Sequence, residues 1–332
     1  MSEGTATDRI ARTRAYRDGR LVKENFPVDD LSDYLADPGT VVWVDLCAPH
    51  PDDLQRVAAE LGLHELAVED AVEAHQRPKL DRYADHQFLT MYGVRLDETT
   101  GRLQLSELAA FITPTVLMTV RQDDRLDLDD VVTRWDESGD LARYGVGFLL
   151  YGLVDHVVDG HFQAVQELDD EIEQLEDLLF AGPGAQPDVQ RRSFALRKSL
   201  VTLRRVVLPM REVVNTLMRR DLEVVPEPMT PYFQDVYDHV LRASEWTESL
   251  RDLVTTILET NLTIQGNRLN VITKKVTSWA AIIAVPTAIT GFYGQNLPYP
   301  GFARPSGVVW SSALIVVISL GLYVTFKRKD WL

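Results

Sequence analysis

Two stretches decide the architecture: VTSWAAIIAVPTAITGFYGQN over residues 276–296 and GVVWSSALIVVISLGLYVTF over residues 307–326. Across residues 276–326 the one charged side chain is Arg304. The region divides into 276–294 and 307–326, each near the ~20 residues that a helix needs to cross the hydrocarbon core of a bilayer. The link, 295–306, is rich in Pro and Gly and reads as a loop. A two-pass membrane hairpin is therefore expected at this end of the chain. A buried hairpin in a soluble protein is the alternative, which two adjacent charge-free spans disfavour.

The flanks orient the hairpin. Arg268, Lys274 and Lys275 precede the first span, Lys327, Arg328 and Lys329 follow the second, and the loop holds only Arg304. Basic residues stay on the cytoplasmic side, so both termini are expected in the cytoplasm of a cell (inner or plasma) membrane. Two helices cannot enclose an aqueous path. If ions cross, identical subunits must form a ring, each giving one helix to the wall.

The rest of the chain reads as soluble. The 332 residues carry 50 acidic against 34 basic side chains, a formal net charge of -16. That excess argues against nucleic acid, which recruits Lys and Arg, and suits a surface that concentrates cations. The single cysteine, Cys47, cannot form an intrachain disulfide and fits a reducing compartment. Residues 1–30 lack an apolar core of signal-peptide length, so insertion is expected to depend on the other end. No Gly-x-x-x-x-Gly-Lys-Ser/Thr loop occurs, so no nucleotide is expected; nor is an organic cofactor, or an enzyme's pairing of nucleophile and base.

Residues 1–145 read as a mixed α/β domain, with β-rich runs at 40–46, 87–96, 108–112 and 116–120. A helix is expected over 52–61, where Leu54, Val57, Ala58 and Leu61 repeat at helical spacing. A helical hairpin is expected over 146–231. Its first helix covers 148–179 and ends at a Gly/Pro loop over 181–187; its second runs over 189–219, interrupted near Pro209. Residues 232–285 hold no proline and only Gly266 as a glycine. The reading is one long stalk helix, 232–294, entering the first span at about 276. Loop 295–306, span 307–326 and a basic tail 327–332 complete the chain. His156 and His161, five apart on a helix, read as packing or hydrated residues rather than zinc ligands.

The first span ends Tyr293-Gly294-Gln295-Asn296. This resembles the aromatic-Gly-Met-Asn signature of the CorA family of magnesium and cobalt transporters. The resemblance extends to the block YFQDVYDH at 232–239, to His75-Gln76-Arg77-Pro78-Lys79 and to the ending KRKDWL. It implies an α/β cytosolic domain, a long α-helical stalk and two C-terminal transmembrane helices, assembled as a homopentameric funnel. It also implies uptake of Mg2+, with Co2+ and Ni2+ as passengers, down the membrane potential.

Chemistry supports the motif. Gly294 lets backbone approach an ion or a neighbour. Asn296 offers a neutral amide oxygen, and a ring of these suits the water shell that Mg2+ sheds reluctantly. The resemblance further implies pore-facing positions at Asn270, Val276, Ala284 and Thr287, with Asn270 and Thr287 supplying polar oxygens and Val276 at a gate. It implies regulatory Mg2+ held between subunits by Asp70 and Asp235, with Glu69 and Asp155 as weaker candidates. Gln295 stands where the family usually has methionine, and the outer loop lacks the acidic residue often found there. A zinc-transporting branch also varies that middle residue, so Zn2+ is an alternative cargo. A membrane-anchored sensor or scaffold without transport is the alternative of another class.

Overall fold

The computed structural model describes residues 11–73, 76–97, 101–295, 298 and 304–332. Two compact units divide between Ile257 and Leu258. The first is built on seven strands: β1 (Ala11–Arg17), β2 (Arg20–Glu24), β3 (Thr40–Cys47), β4 (Lys79–Arg82), β5 (Gln87–Asp97), β6 (Arg102–Ile112) and β7 (Val116–Arg121). Their order is β2-β1-β3-β7-β6-β5-β4. β3 and β7 run parallel, and the other neighbouring pairs are antiparallel.

The period of two along a strand sorts side chains between two cores. From β3, Val42, Val44 and Leu46 face one core and Trp43 the other. The first core is covered by α1 (Leu31–Leu35), α2 (Pro51–Glu60) and α3 (Glu65–Val72). On the opposite face lie α4 (Asp129–Glu137), α5 (Gly139–Ala142), α6 (Val146–Phe180), α7 (Gln186–Leu217) and the start of α8 (Thr230–Tyr293). The sheet is thus the middle of three layers. Trp43 and Trp135 meet edge to face at 5.0 Å. Gly152 of α6 permits that contact, since a β-carbon there would lie 2.4 Å from Trp135 Nε1.

A charged pair lies inside the sheet. Arg121 reaches Asp45 Oδ1 at 3.1 Å and Oδ2 at 2.5 Å, and Thr119 donates to Asp45 Oδ1 at 2.7 Å. Both charges are nearly inaccessible, so the fork geometry and the hydroxyl offset what desolvation costs.

The four β-rich runs form β3, β5, β6 and β7, and the helix expected over 52–61 is α2. Three strands lie outside the sequence reading: β1, β2 and β4. One expectation is corrected. The second hairpin helix is not interrupted near Pro209; α7 continues through it. An internal proline costs ~3 kcal/mol. Here Val206, Val207, Met210, Val213 and Val214 are buried on both sides of it, which outweighs the lost hydrogen bond.

The 64 residues of α8 amount to roughly 96 Å at ~1.5 Å per residue. Pro286 lies within it, and the helix runs on to Tyr293. In the second unit, α9 (Pro305–Arg328) is, among the described residues, the other helix long and apolar enough to cross a membrane. Past it, Trp331 stacks on Phe326 at 5.8 Å, and its N–H donates to the Phe326 carbonyl.

Candidate ion-conducting and metal-binding site

Three to four residues bring a helix back to the same side. On α8 and its last turn that spacing picks out Gly266, Asn270, Thr273, Thr277, Ala280, Ala284, Thr287, Gly291 and Gly294. None is charged, none is larger than Asn, and all are exposed in the single chain. The opposite side is the covered one: Ser278 is fully buried, and Ile282, Val285 and Ile289 are half-buried. A strict alternation of three and four is the seam of helices that supercoil about one another. Asn270, Ala284 and Thr287, expected from the sequence, lie on this stripe. Val276 is exposed but stands about 60° to one side at ~100° per residue.

Hydroxyls in the last turns of this helix return to its own backbone. Thr287 donates to the Ile283 carbonyl at 3.1 Å, and Thr290 to the Pro286 carbonyl at 2.8 Å. Having donated its proton, the Thr287 oxygen can still accept through its lone pairs. Beyond the helix, Gly294 N–H donates to Thr290 O at 2.9 Å, and Gln295 N–H to Phe292 O at 3.3 Å. A β-carbon at Gly294 would come within 3.2 Å of that Thr290 oxygen. Tyr293 closes the helix and meets Phe292 edge to face at 5.7 Å. Asn296, the residue on which the motif's chemistry rests, lies outside the described residues, as does His75.

The four carboxylates occupy different settings. Asp70, on α3, accepts from Lys79 Nζ at 2.6 Å, and Lys79 also reaches Asp81 at 2.8 Å. Burial alone would lower the Lys79 pKa; the hydrogen bonds to Asp70 and Asp81 outweigh it and hold the ammonium above its ordinary value. Glu69, one residue earlier, is exposed. Asp155, on α6, is buried and bound to Arg134. Burial, then repulsion from Asp159, push its carboxyl above the ordinary range, although Arg134 pulls it down. Asp235, on α8, is largely exposed, with His239 Nε2 at 4.0 Å.

The fold adds two residues that the sequence reading did not place in a site. Ligand atoms of Asp155, Asp159 and His239 all lie within 4.8 Å of one another. Asp155 and Asp159 are one turn apart on α6, and Asp235 and His239 one turn apart on α8. That i, i+4 spacing was the signal available beforehand. His161 does pack: it is fully buried, with Nε2 at 2.7 Å from the Tyr92 carbonyl.

A family model described as CorA-like Mg2+ transporter protein matches residues 38–328. The chain belongs to the CorA family. It is 30% identical over 312 residues to the cobalt/magnesium transport protein CorA of Thermotoga maritima, covering 92% of this chain and 88% of that protein. It is 25% identical over 292 residues to the zinc transport protein ZntB of Yersinia enterocolitica, covering 87% and 88%. The complete structure of the CorA magnesium transporter from Methanocaldococcus jannaschii matches with a TM-score of 0.78 at 24% identity, covering 97% of this chain and 99% of that one. CorA membership makes this chain a divalent-cation transport protein of the membrane and not an enzyme. The α/β domain, the long helix and the two apolar C-terminal helices are the architecture of that match.

Proposed function

We propose that this CorA-family chain carries Mg2+ inward across the cell membrane, with Co2+ and Ni2+ as passengers, along a path lined by α8 in a ring of identical subunits. The observation that carries the reading is the bare, uncharged stripe from Gly266 to Gly294. A helix side with no large apolar group and no charge suits neither lipid nor a dry core. It suits a neighbour's identical stripe around a wet axis, where neutral oxygens hold a hydrated dication weakly enough to release it. Tyr293, Gly294, Gln295 and Asn296 form the outer mouth, and Asn270 the inner end. The resemblance to CorA gives five subunits, and the basic flanks put both termini in the cytoplasm.

Cytosolic Mg2+ closes the path by bridging carboxylates of adjacent subunits. Asp70 of one copy faces Asp235 of the next, with Glu69 nearby, and Asp155 joins through the Asp155–Asp159–His239 group. A hard dication there offsets the burial and then the Asp159 repulsion that raise the Asp155 pKa.

Zn2+ is a second reading, favoured by the similarity to a zinc transport protein and by His239 among the candidate ligands. Ion-resolved flux in liposomes decides both questions. The expected result is uptake of Mg2+ and Co2+ that Asn296→Ala reduces tenfold or more. Unchanged flux in that variant favours the sensor or scaffold reading, in which the hairpin only tethers. Faster Zn2+ than Mg2+ uptake reassigns the cargo.

A further inference from the structure

We infer that the α6–α7 hairpin is a head-to-tail docking element between copies of this chain, the basic flank of α7 in one copy seating on the acidic flank of α6 in the next. The inference rests on the ring reading above and deepens it by naming a contact outside the membrane.

The charges of the hairpin are sorted by helix. Over its 35 residues α6 carries nine Asp and Glu and no Lys or Arg. Over its 32 residues α7 carries seven Lys and Arg against two acids. Inside the chain, Arg192 reaches Glu171 at 3.4 Å and Arg204 binds Glu248 of α8. Arg197, Lys198, Arg205 and Arg211 on one helix, and Asp170, Glu173, Glu176 and Asp177 on the other, are exposed.

The basic flank also carries an apolar line with a period of seven. Phe194, Val201 and Leu208 are 56%, 36% and 38% exposed. Arg197, Arg204 and Arg211 repeat beside them on one side, Lys198 and Arg205 on the other. On α6 the line of the same period, Gln166, Glu173 and Phe180, is apolar only at its end, with Asp170 and Asp177 on one side and Asp169 and Glu176 on the other. Phe180 is 77% exposed. An apolar seam flanked by charges of one sign is how packed helices choose a partner. Here basic residues flank the seam of α7, and acidic residues flank the line of α6 that ends at Phe180.

A second copy supplies both signs at once. An anionic bilayer would accept α7 and repel α6 of the same hairpin. Because the two flanks differ, the contact is heterologous, the kind that closes rings when repeated. Like-charge flanks in any other pairing repel, so the sorting also selects the register.

The test uses the full chain in neutral detergent, with mass read by light scattering. One variant reverses the basic flank (Arg197→Glu, Lys198→Glu, Arg205→Glu), another the acidic flank (Asp170→Lys, Glu173→Lys, Asp177→Lys), and a third carries all six changes. Each three-fold variant is expected to fall to half the wild-type mass or less. The six-fold chain, and an equimolar mixture of the two three-fold variants, are expected to recover it. Full mass in both three-fold variants overturns the docking surface and leaves the pore reading untouched. Loss in both without recovery in the six-fold chain also overturns it, since the charges then serve the hairpin's own fold. Retained mass with a melting temperature that drops only in nanodiscs of anionic lipid assigns the basic flank to the membrane instead. A monomeric wild-type chain removes the ring reading itself.

Discussion

Lys79 is the cation that Asp70 holds in the single chain, at 2.6 Å. A regulatory dication at Asp70 must therefore compete with an ammonium group. Half-exposed pairs of this kind contribute up to ~1 kcal/mol, so Lys79→Met is expected to lower the Mg2+ concentration for half-inhibition about two- to fivefold. Flux measured against internal Mg2+ checks this, and an unchanged inhibition curve removes Asp70 from the ligand set. The family resemblance pointed to Asp70, Asp235 and Asn270 at this scale, and the structure places Asp70 on Lys79, Asp235 near His239 and Asn270 on the uncharged side of α8. Asp159 and His239 were not, because α6 and α8 meet only after folding and i, i+4 pairs are common on any acidic helix. Pro209 misled for a related reason: a proline's cost is visible in sequence, and the packing that outweighs it is not.

Strands were read where the period of two is apolar and missed where it is not. β1 is ARTRAYR, whose inward positions include Thr13 and Arg14; Arg14 is satisfied by Asp136 at 2.6 Å and Glu24 at 2.8 Å. No local pattern announces a strand whose buried arginine depends on a helix more than a hundred residues away. The turn joining β4 to β5 holds a more instructive group. His86 is buried, stacks on Tyr83 at 4.9 Å, and Tyr83 stacks on His64 at 4.6 Å. Burial, then His64, lower the His86 pKa from the ordinary value of about 6.5, with Asp85 opposing. The folded state thus favours the neutral ring. Its contribution is complete above the unfolded pKa and fades as pH falls below about 6.5, where the unfolded chain takes up a proton that the folded one resists. His86→Phe keeps the stack without titrating. Melting of the purified full-length chain at pH 7.5 and 5.5 is expected to show a smaller acid loss in this variant. An identical loss means that the acid sensitivity lies elsewhere.

At the scale of the whole molecule, the sequence separates an acidic part from an apolar part carrying one charge between residues 276 and 326. Period and hydropathy made the two spans and the long helix legible, because a bilayer demands length and apolarity from local sequence. The cargo was not legible: the uncharged stripe of α8 offers oxygen without charge, which admits several hydrated dications. No nucleotide site is foreseen in the sequence, so the expected source of energy for transport is the ion's own gradient. A 2+ ion falling through ~100 mV, inside negative, gains roughly 4.6 kcal/mol, equivalent to about three decades of accumulation at equilibrium. Liposomes holding this chain and no nucleotide are therefore expected to take up Mg2+ faster as a potassium diffusion potential makes their interior more negative, and to slow when it is collapsed. Uptake indifferent to the potential would mean electrically silent exchange for another cation, and a requirement for ATP would mean an energy source that the sequence reading does not foresee.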